Sequence, residues 1–233
     1  MTSTTAADLA AHLLDLAILL AAPDPLDRAR SETAVLGLLR DHVPGVASVS
    51  VTRGPAHRPV TVASSDALAA RADRIQYESG AGPCLHALAH DEMVVVDLTG
   101  GSDDERWPAF RRRMTAEAGI GGVRSHPLRD GSPGSLNIYL GVPGPDPDLV
   151  ATAAAAARLA LFAVATRARA DQLSDALATS RTIGAAIGML MARHGWSRDA
   201  AFTALREASQ HTNRKLRDVA ADVVADRVDA GPG

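Results

Sequence analysis

Residues 181–224 read RTIGAAIGMLMARHGWSRDAAFTALREASQHTNRKLRDVAADVV. Apolar residues recur there at helical spacing in three segments, separated by joints of only a few residues. Gly195 is placed to stop the first segment and Ser197 to cap the second, Arg198 to Ser209. Asn213 is placed to cap the third, Arg214 to about Arg227. That third segment opens on Asn213-Arg214-Lys215-Leu216-Arg217. Clustered cations beside the open amides of a helix start can hold a phosphate backbone, so the stretch points to nucleic acid. An ordinary solvated helix face behind a cap would carry the same residue types.

Charge supports the first reading only weakly. The chain has 233 residues and a net charge of -3. Between Arg167 and Arg227 ten Arg and Lys face seven Asp and Glu, so the tail is mildly basic and the remainder acidic. Bulk attraction of that size gives weak, salt-sensitive binding and needs shape complementarity beside it. The single cysteine, Cys84, excludes an internal disulfide and a multi-cysteine zinc site, and suits a reducing cytoplasm. The apolar runs Leu9–Ala22 and Ala151–Ala165 are short and carry His12, Asp15 and Arg158, so neither is expected to span a membrane. A cytoplasmic protein is expected.

Upstream, Leu9, Leu13, Leu16 and Leu20 recur at helical spacing, and a second helix is expected from Leu26 to His42. Val46-Ala47-Ser48-Val49-Ser50-Val51 alternates as a strand, Arg53-Gly54-Pro55 turns, and Val60-Thr61-Val62 answers as a hairpin partner. Helices are expected over Asp66–Arg74 and Glu105–Glu117, and strands over Met93–Val96, Gly122–Leu128 and Ser135–Leu140. Five short strands with interspersed helices make an α+β domain. Asp146 followed by Pro147 marks a helix start, and no proline interrupts the chain from there to His194. Such a helix would run about 70 Å. Its residues Leu149, Leu159, Leu161, Val164, Leu173, Leu177, Ile183, Ile187 and Leu190 leave a mainly apolar stripe that a second copy could cover, so a parallel, coiled-coil-like homodimer is expected. The expected division is 1–145, an α+β domain with N-terminal helices; 146–175, a connector helix; and 176–233, a three-helix module.

In that last module, Ile183-Gly184-Ala185-Ala186-Ile187-Gly188-Met189-Leu190-Met191, Ala200-Ala201-Phe202, Leu205-Arg206, Ala208-Ser209, Lys215-Leu216 and Asp218-Val219-Ala220 closely resemble an ANTAR domain. The resemblance implies a dimerising RNA-binding module that acts in transcription antitermination on paired RNA hairpins. The region Val35–Leu140 looks like a GAF sensor domain, through Gln76–Cys84, Trp107-Pro108-Ala109-Phe110, Val123–Leu128 and Gly134–Tyr139. Together they are similar to the GAF-plus-ANTAR regulators of actinobacteria. Two departures stand out: His126 sits where such domains carry an apolar residue, and Gly121-Gly122 loosens the lead-in to its strand.

Site residues follow. RNA contacts are expected from Arg214, Lys215 and Arg217, from Gln210, His211 and Asn213, whose side chains can hydrogen-bond bases, and from Arg181 and Arg193 along the preceding helix. Tyr77, Cys84, Trp107, His126 and Asn137 are candidates for a sensor pocket whose small-molecule or redox signal the sequence does not name. Gly184 and Gly188 are read as a close helix contact, Met189, Met191, Phe202 and Leu205 as core, and Trp196 as a corner packing residue. Gly80-Ala81-Gly82-Pro83-Cys84 lacks the lysine of a phosphate loop, and Cys84 with His86 has no zinc spacing. No catalytic motif appears, so no catalytic residue, metal or cofactor is assigned. Two other classes stay open: a DNA-binding helix-turn-helix factor, and a ligand-binding protein whose C-terminal helices only dimerise.

Overall fold

The computed structural model describes residue 11 and residues 28–99, 106–142 and 145–226. The expected helix through Leu9–Leu20 and the acidic Asp103-Asp104-Glu105 lie outside them. The chain divides into two compact units, 1–168 and 169–233.

The first unit is α+β. Its elements are α1 (Arg28–His42), β1 (Val46–Arg53), β2 (Val60–Ser64), α2 (Ala67–Ser79), α3 (Pro83–His90), β3 (Val94–Asp97), α4 (Pro108–Arg113) running into a π-turn (Met114–Ala118), β4 (Gly122–Arg129) and β5 (Pro133–Leu140). The strands form one sheet in the order β2-β1-β5-β4-β3. Every neighbouring pair is antiparallel. Helix α5 (Pro147–His194) follows, starting where Asp146 Oδ1 accepts from the amide of Asp148 at 2.9 Å.

Strand parity sorts the side chains onto two faces. In the register, Val51 faces Leu136, which faces His126, while Ser50 faces Asn137, which faces Ser125. The first set joins a core with Val35, Leu36 and Leu39 of α1 and Val150, Ala153, Ala157, Leu161 and Val164 of α5. The helix contains an 18-residue window of mean hydropathy 1.8, long and apolar enough by composition to cross a bilayer, contrary to the expectation that the run is too short. Ala153, Ala154, Ala157, Ala160 and Leu161 of the helix are instead buried in this core. Within the stretch expected as a connector helix, Val150, Ala153, Ala154, Ala157, Ala160, Leu161 and Val164 are core residues of the first unit, while Leu159 and Phe162 are exposed.

The other face carries a second apolar cluster, Ile75 of α2, Phe110 of α4, Met114 of the π-turn, Val123 and Tyr139. Helix α2 is fixed at both ends. Asp66 accepts from the amide of Ala69 at 3.0 Å, and Gly80 takes a left-handed conformation (φ 61°) that turns its amide back to Tyr77 O. The helix runs five residues past the expected Arg74.

In the second unit, residues 169–194 of α5 are followed by α6 (Arg198–Thr212) and α7 (Leu216–Ala225). Gly195 (φ 66°) stops α5, its amide bonded to Met191 O, and Ser197 Oγ accepts from the amide of Ala200. The core is small: Ala186, Ile187, Ala201, Leu205 and Ala220 are buried. Three of these five are alanine, so the helices meet at short range over little apolar area. Phe202, expected in this core, is 41% exposed, and Met191 is also exposed.

Candidate nucleic-acid interface and sensor face

The turn between α6 and α7 is built by Asn213. Its backbone is left-handed (φ 51°), a conformation asparagine tolerates better than most residues. The amide of Asn213 bonds Gln210 O at 3.3 Å and that of Arg214 bonds Ser209 O at 3.1 Å, while Ser209 Oγ donates to Arg214 O at 2.6 Å. Asn213 therefore ends α6 and does not cap α7. Arg214 and Lys215 lie in the turn, and α7 begins at Leu216 with Lys215 at the capping position and no side chain bonded to its first amides. Asparagine serves both helix starts and left-handed helix stops, which is why the sequence reading placed it one element too late.

Gln210, His211, Asn213, Arg214, Lys215 and Arg217 are all exposed on this one turn and its flanks. Their charges are not equally available. Arg214 Nη1 donates to Asp222 Oδ2 at 2.6 Å, and Arg217 Nε lies 3.3 Å from Asp218 Oδ1. Lys215 forms no ion pair with a described residue. Asp222 raises the pKa of Arg214 through a hydrogen bond and charge. Arg193 sits exposed in the last turn of α5, and Arg181 is exposed twelve residues earlier.

The sequence reading missed an open groove of about 810 Å³ within this unit. Ile183, Gly184 and Ile187 of α5, Arg198 and Phe202 of α6 and Arg217 of α7 line it, with Asp175 and Asp199 also at its walls. A Cβ built on Gly184 or Gly188 meets nothing within 4 Å, so the close helix contact expected there does not occur within this chain. Trp196 stacks on His194, with ring centroids 4.5 Å apart, as a corner contact.

On the face of the sheet that α2 covers, Tyr77, Cys84 and Asn137 come together around a carboxylate that the sequence reading did not single out, Asp73. Its Oδ1 accepts from Ser50 Oγ (2.9 Å), Asn137 Nδ2 (3.2 Å) and the hydroxyl of Tyr139, and its Oδ2 from Thr61 Oγ1 (2.7 Å). The Tyr77 hydroxyl is shared with Thr52 (2.8 Å) and Thr61 (2.9 Å), and Asn137 Oδ1 accepts from Ser125 (3.0 Å) and Ser135 (2.8 Å). Asp73 is fully buried with no cation in the network, and burial raises its pKa despite these donors. The same burial, with the Asp73 charge second, pushes the Cys84 thiol up to about 12. A thiol held protonated in this way is a poor nucleophile. Gln76 ties the network to α3, accepting from the Cys84 amide (2.8 Å) and donating to Tyr139 (3.0 Å).

The other two sensor candidates lie elsewhere. Trp107 is half-buried at the edge of the second apolar cluster, between Phe110 and His86, with Arg106 over its ring at 4.9 Å. His126 points to the opposite face of the sheet, toward α5, because it is paired with Leu136 and not with Asn137. It is therefore not part of the polar network.

Residues 171–224 match the ANTAR domain family. The first unit shares its fold with the GAF domain of A. aeolicus nlh2 in an inactive state, at a TM-score of 0.50 and 10% identity, over 72% of this chain and 99% of that one. A domain of a two-component sensor histidine kinase from Sinorhizobium meliloti 1021 is similar at a TM-score of 0.47 and 17% identity, over 65% and 99% of the two chains. A sensor histidine kinase GAF domain from Pseudomonas syringae pv. tomato is similar at 0.42 and 16%, over 74% and 92%. No curated protein sequence matches the chain. The chain joins a GAF-type fold to an ANTAR domain.

Proposed function

We propose that this protein is a signal-responsive RNA-binding regulator of transcription antitermination, acting as a homodimer whose two ANTAR modules engage paired hairpin loops. The observation that carries the reading is the α6–α7 turn. It gathers hydrogen-bonding and cationic side chains, all exposed, at an uncapped helix start within the family match. Unpaired loop bases are where proteins read RNA sequence. Lys215, Arg214 and Arg217 hold phosphates; Gln210, His211 and Asn213 read base edges. The groove beside the turn supports the same reading, since Phe202 offers a half-open aromatic face between Arg198 and Arg217 on which an unstacked base can lie. Arg181 and Arg193 extend the surface.

The second copy covers exposed apolar residues of α5: Leu159 and Phe162 in the first unit, Leu173 and Leu177 in the second. Pairing gives two loops at fixed separation an avidity that a mildly basic module lacks alone. The signal enters through the polar network around Asp73 by binding one arrangement of the protein better than another. Burial and the raised pKa of Cys84 favour a ligand over oxidation of that thiol.

The test is a titration of the full chain with a two-hairpin RNA, a single hairpin and duplex DNA at moderate salt. Tight binding to the two-hairpin RNA, lost in the Lys215→Ala/Arg217→Ala double variant at unchanged helix content, is expected. Preference for duplex DNA would replace this reading by a helix-turn-helix factor; no nucleic-acid binding would leave a ligand-binding dimer.

A further inference from the structure

His126 is a polar residue in the apolar face of the sheet, and the charged groups that act on it, Arg158 and Arg124, are both cationic. On β4 it stands two residues from Arg124, so the two side chains leave the same face about 7 Å apart. The imidazole is only 6% exposed, yet its Nε2 is buried with no hydrogen-bond partner. The Nε of Arg124 and the Nε of Arg158, on α5, are likewise buried without partners. Arg124 is anchored beside them, its Nη1 donating to Pro147 O at 3.0 Å at the start of α5. Neither arginine pairs with a carboxylate among the described residues. Burial first, then the charges of Arg158 and Arg124, lower the pKa of His126 to about 4.

Single atoms elsewhere in the unit also lack a hydrogen-bond partner, Arg53 Nε, Ser79 Oγ, Arg111 Nη1 and Asp130 Oδ2, but the carboxylates there have cations or donors beside them. Arg53 is held by Glu32 and Asp130, and Asp73 by four donors. Buried donors are ordinarily satisfied, and an orphan costs its full desolvation. Here two positive charges act on one buried imidazole, and a nitrogen of each of the three side chains is buried with no acceptor.

We propose that Arg124, His126 and Arg158 form a binding site for a small oxyanion, a carboxylate or phosphate group, between β4 and α5 and on the opposite side of the sheet from the Asp73 network. The oxyanion accepts from both guanidinium groups and from the Nε2–H tautomer of His126, and it removes the repulsion between the cations. Its occupancy fastens α5 to the sheet at Arg158. Negative charge at the site also favours the imidazolium, so binding and protonation of His126 reinforce each other.

The experiment uses the full chain with sodium sulfate, phosphate and acetate, against sodium chloride at matched ionic strength, followed by thermal melting and by the imidazole resonance of His126. Sulfate serves for the pH series because its charge is constant there. A rise in melting temperature over chloride is expected with one class of oxyanion; sulfate and phosphate responding without acetate identifies a phosphate-like ligand, and acetate a carboxylate. Arg158→Gln should weaken binding at least tenfold. His126→Leu, which restores an apolar residue and so should remain folded, should abolish the increase in sulfate affinity between pH 7.5 and 5. No oxyanion exceeding chloride, or variants responding like the parent, would overturn the proposal.

Discussion

Replacing Asn213 by glycine separates the two tasks placed on this residue. The backbone there is left-handed at φ 51°, and two helix-ending hydrogen bonds, from Asn213 to Gln210 and from Arg214 to Ser209, depend on that geometry. Glycine adopts it freely, whereas alanine pays a steric cost of about 1–2 kcal/mol. The core of the module is five small or medium side chains, so a loss of that size is a large part of what holds it. Asn213→Ala should therefore lower the melting temperature of the C-terminal unit by several degrees, and Asn213→Gly should leave it level or higher. RNA affinity should behave differently. Both variants lack the side-chain amide, and one hydrogen bond to a base is worth about 1 kcal/mol, or roughly fivefold in affinity. Melting followed by far-UV circular dichroism, paired with RNA titration of the same samples, reads both quantities. A glycine variant with parental RNA affinity would remove Asn213 from the base-reading residues; glycine and alanine variants melting together would remove the left-handed turn as the reason for asparagine.

Asp222→Asn frees Arg214 from its 2.6 Å ion pair, so RNA binding should tighten and its salt dependence steepen, by about 0.7–0.9 in log–log slope for one added phosphate contact. Lys215→Ala should shift the slope the other way by a similar amount, and identical slopes in all three proteins would refute the phosphate assignment. Asp73 has a folded-state pKa raised by burial, so its contribution to stability is complete below the ordinary aspartate pKa and is lost as pH rises through the folded value. Asp73→Asn keeps the Oδ1 acceptor and should flatten urea-unfolding stability above about pH 4, where parallel curves for parent and variant would contradict the buried charge. Gly82→Ala places a Cβ 2.6 Å from Gln76 Oε1 at φ 149°, displacing a side chain with two buried hydrogen bonds; a destabilisation of about 2–5 kcal/mol is expected, and a melting temperature within a degree of the parent would show that Gln76 moves freely.

The sheet and the long helix were legible because periodicity survives any packing: β1 alternates whatever lies on its two sides, and proline-free sequence from Asp148 to His194 carries a helix. What alternation does not disclose is which side is wet. Ser48, Ser50 and Thr52 have the pattern of a solvated face, yet all three are fully buried, because each hydroxyl finds a polar partner: Ser48 at Asp66, Ser50 at Asp73 and Thr52 at Tyr77. Asp73 was unreadable for the same reason, being one carboxylate among many until α2 packed on the sheet and brought it within hydrogen-bond reach of Asn137. His126 shows the converse. Its identity marked a departure from the GAF-domain pattern, but its face is decided by parity against Leu136, and one residue of register separates the Asp73 network from the α5 side. The misplaced residues of the C-terminal module have a shared cause as well. Leu205 and Phe202 are three apart and equally apolar, and a core of alanines is too thin to bury both. The aromatic left at the groove is therefore a consequence of the same small residues that let the helices meet closely, and a module that packs this tightly cannot hide Phe202 without losing the groove that Arg198 and Arg217 flank.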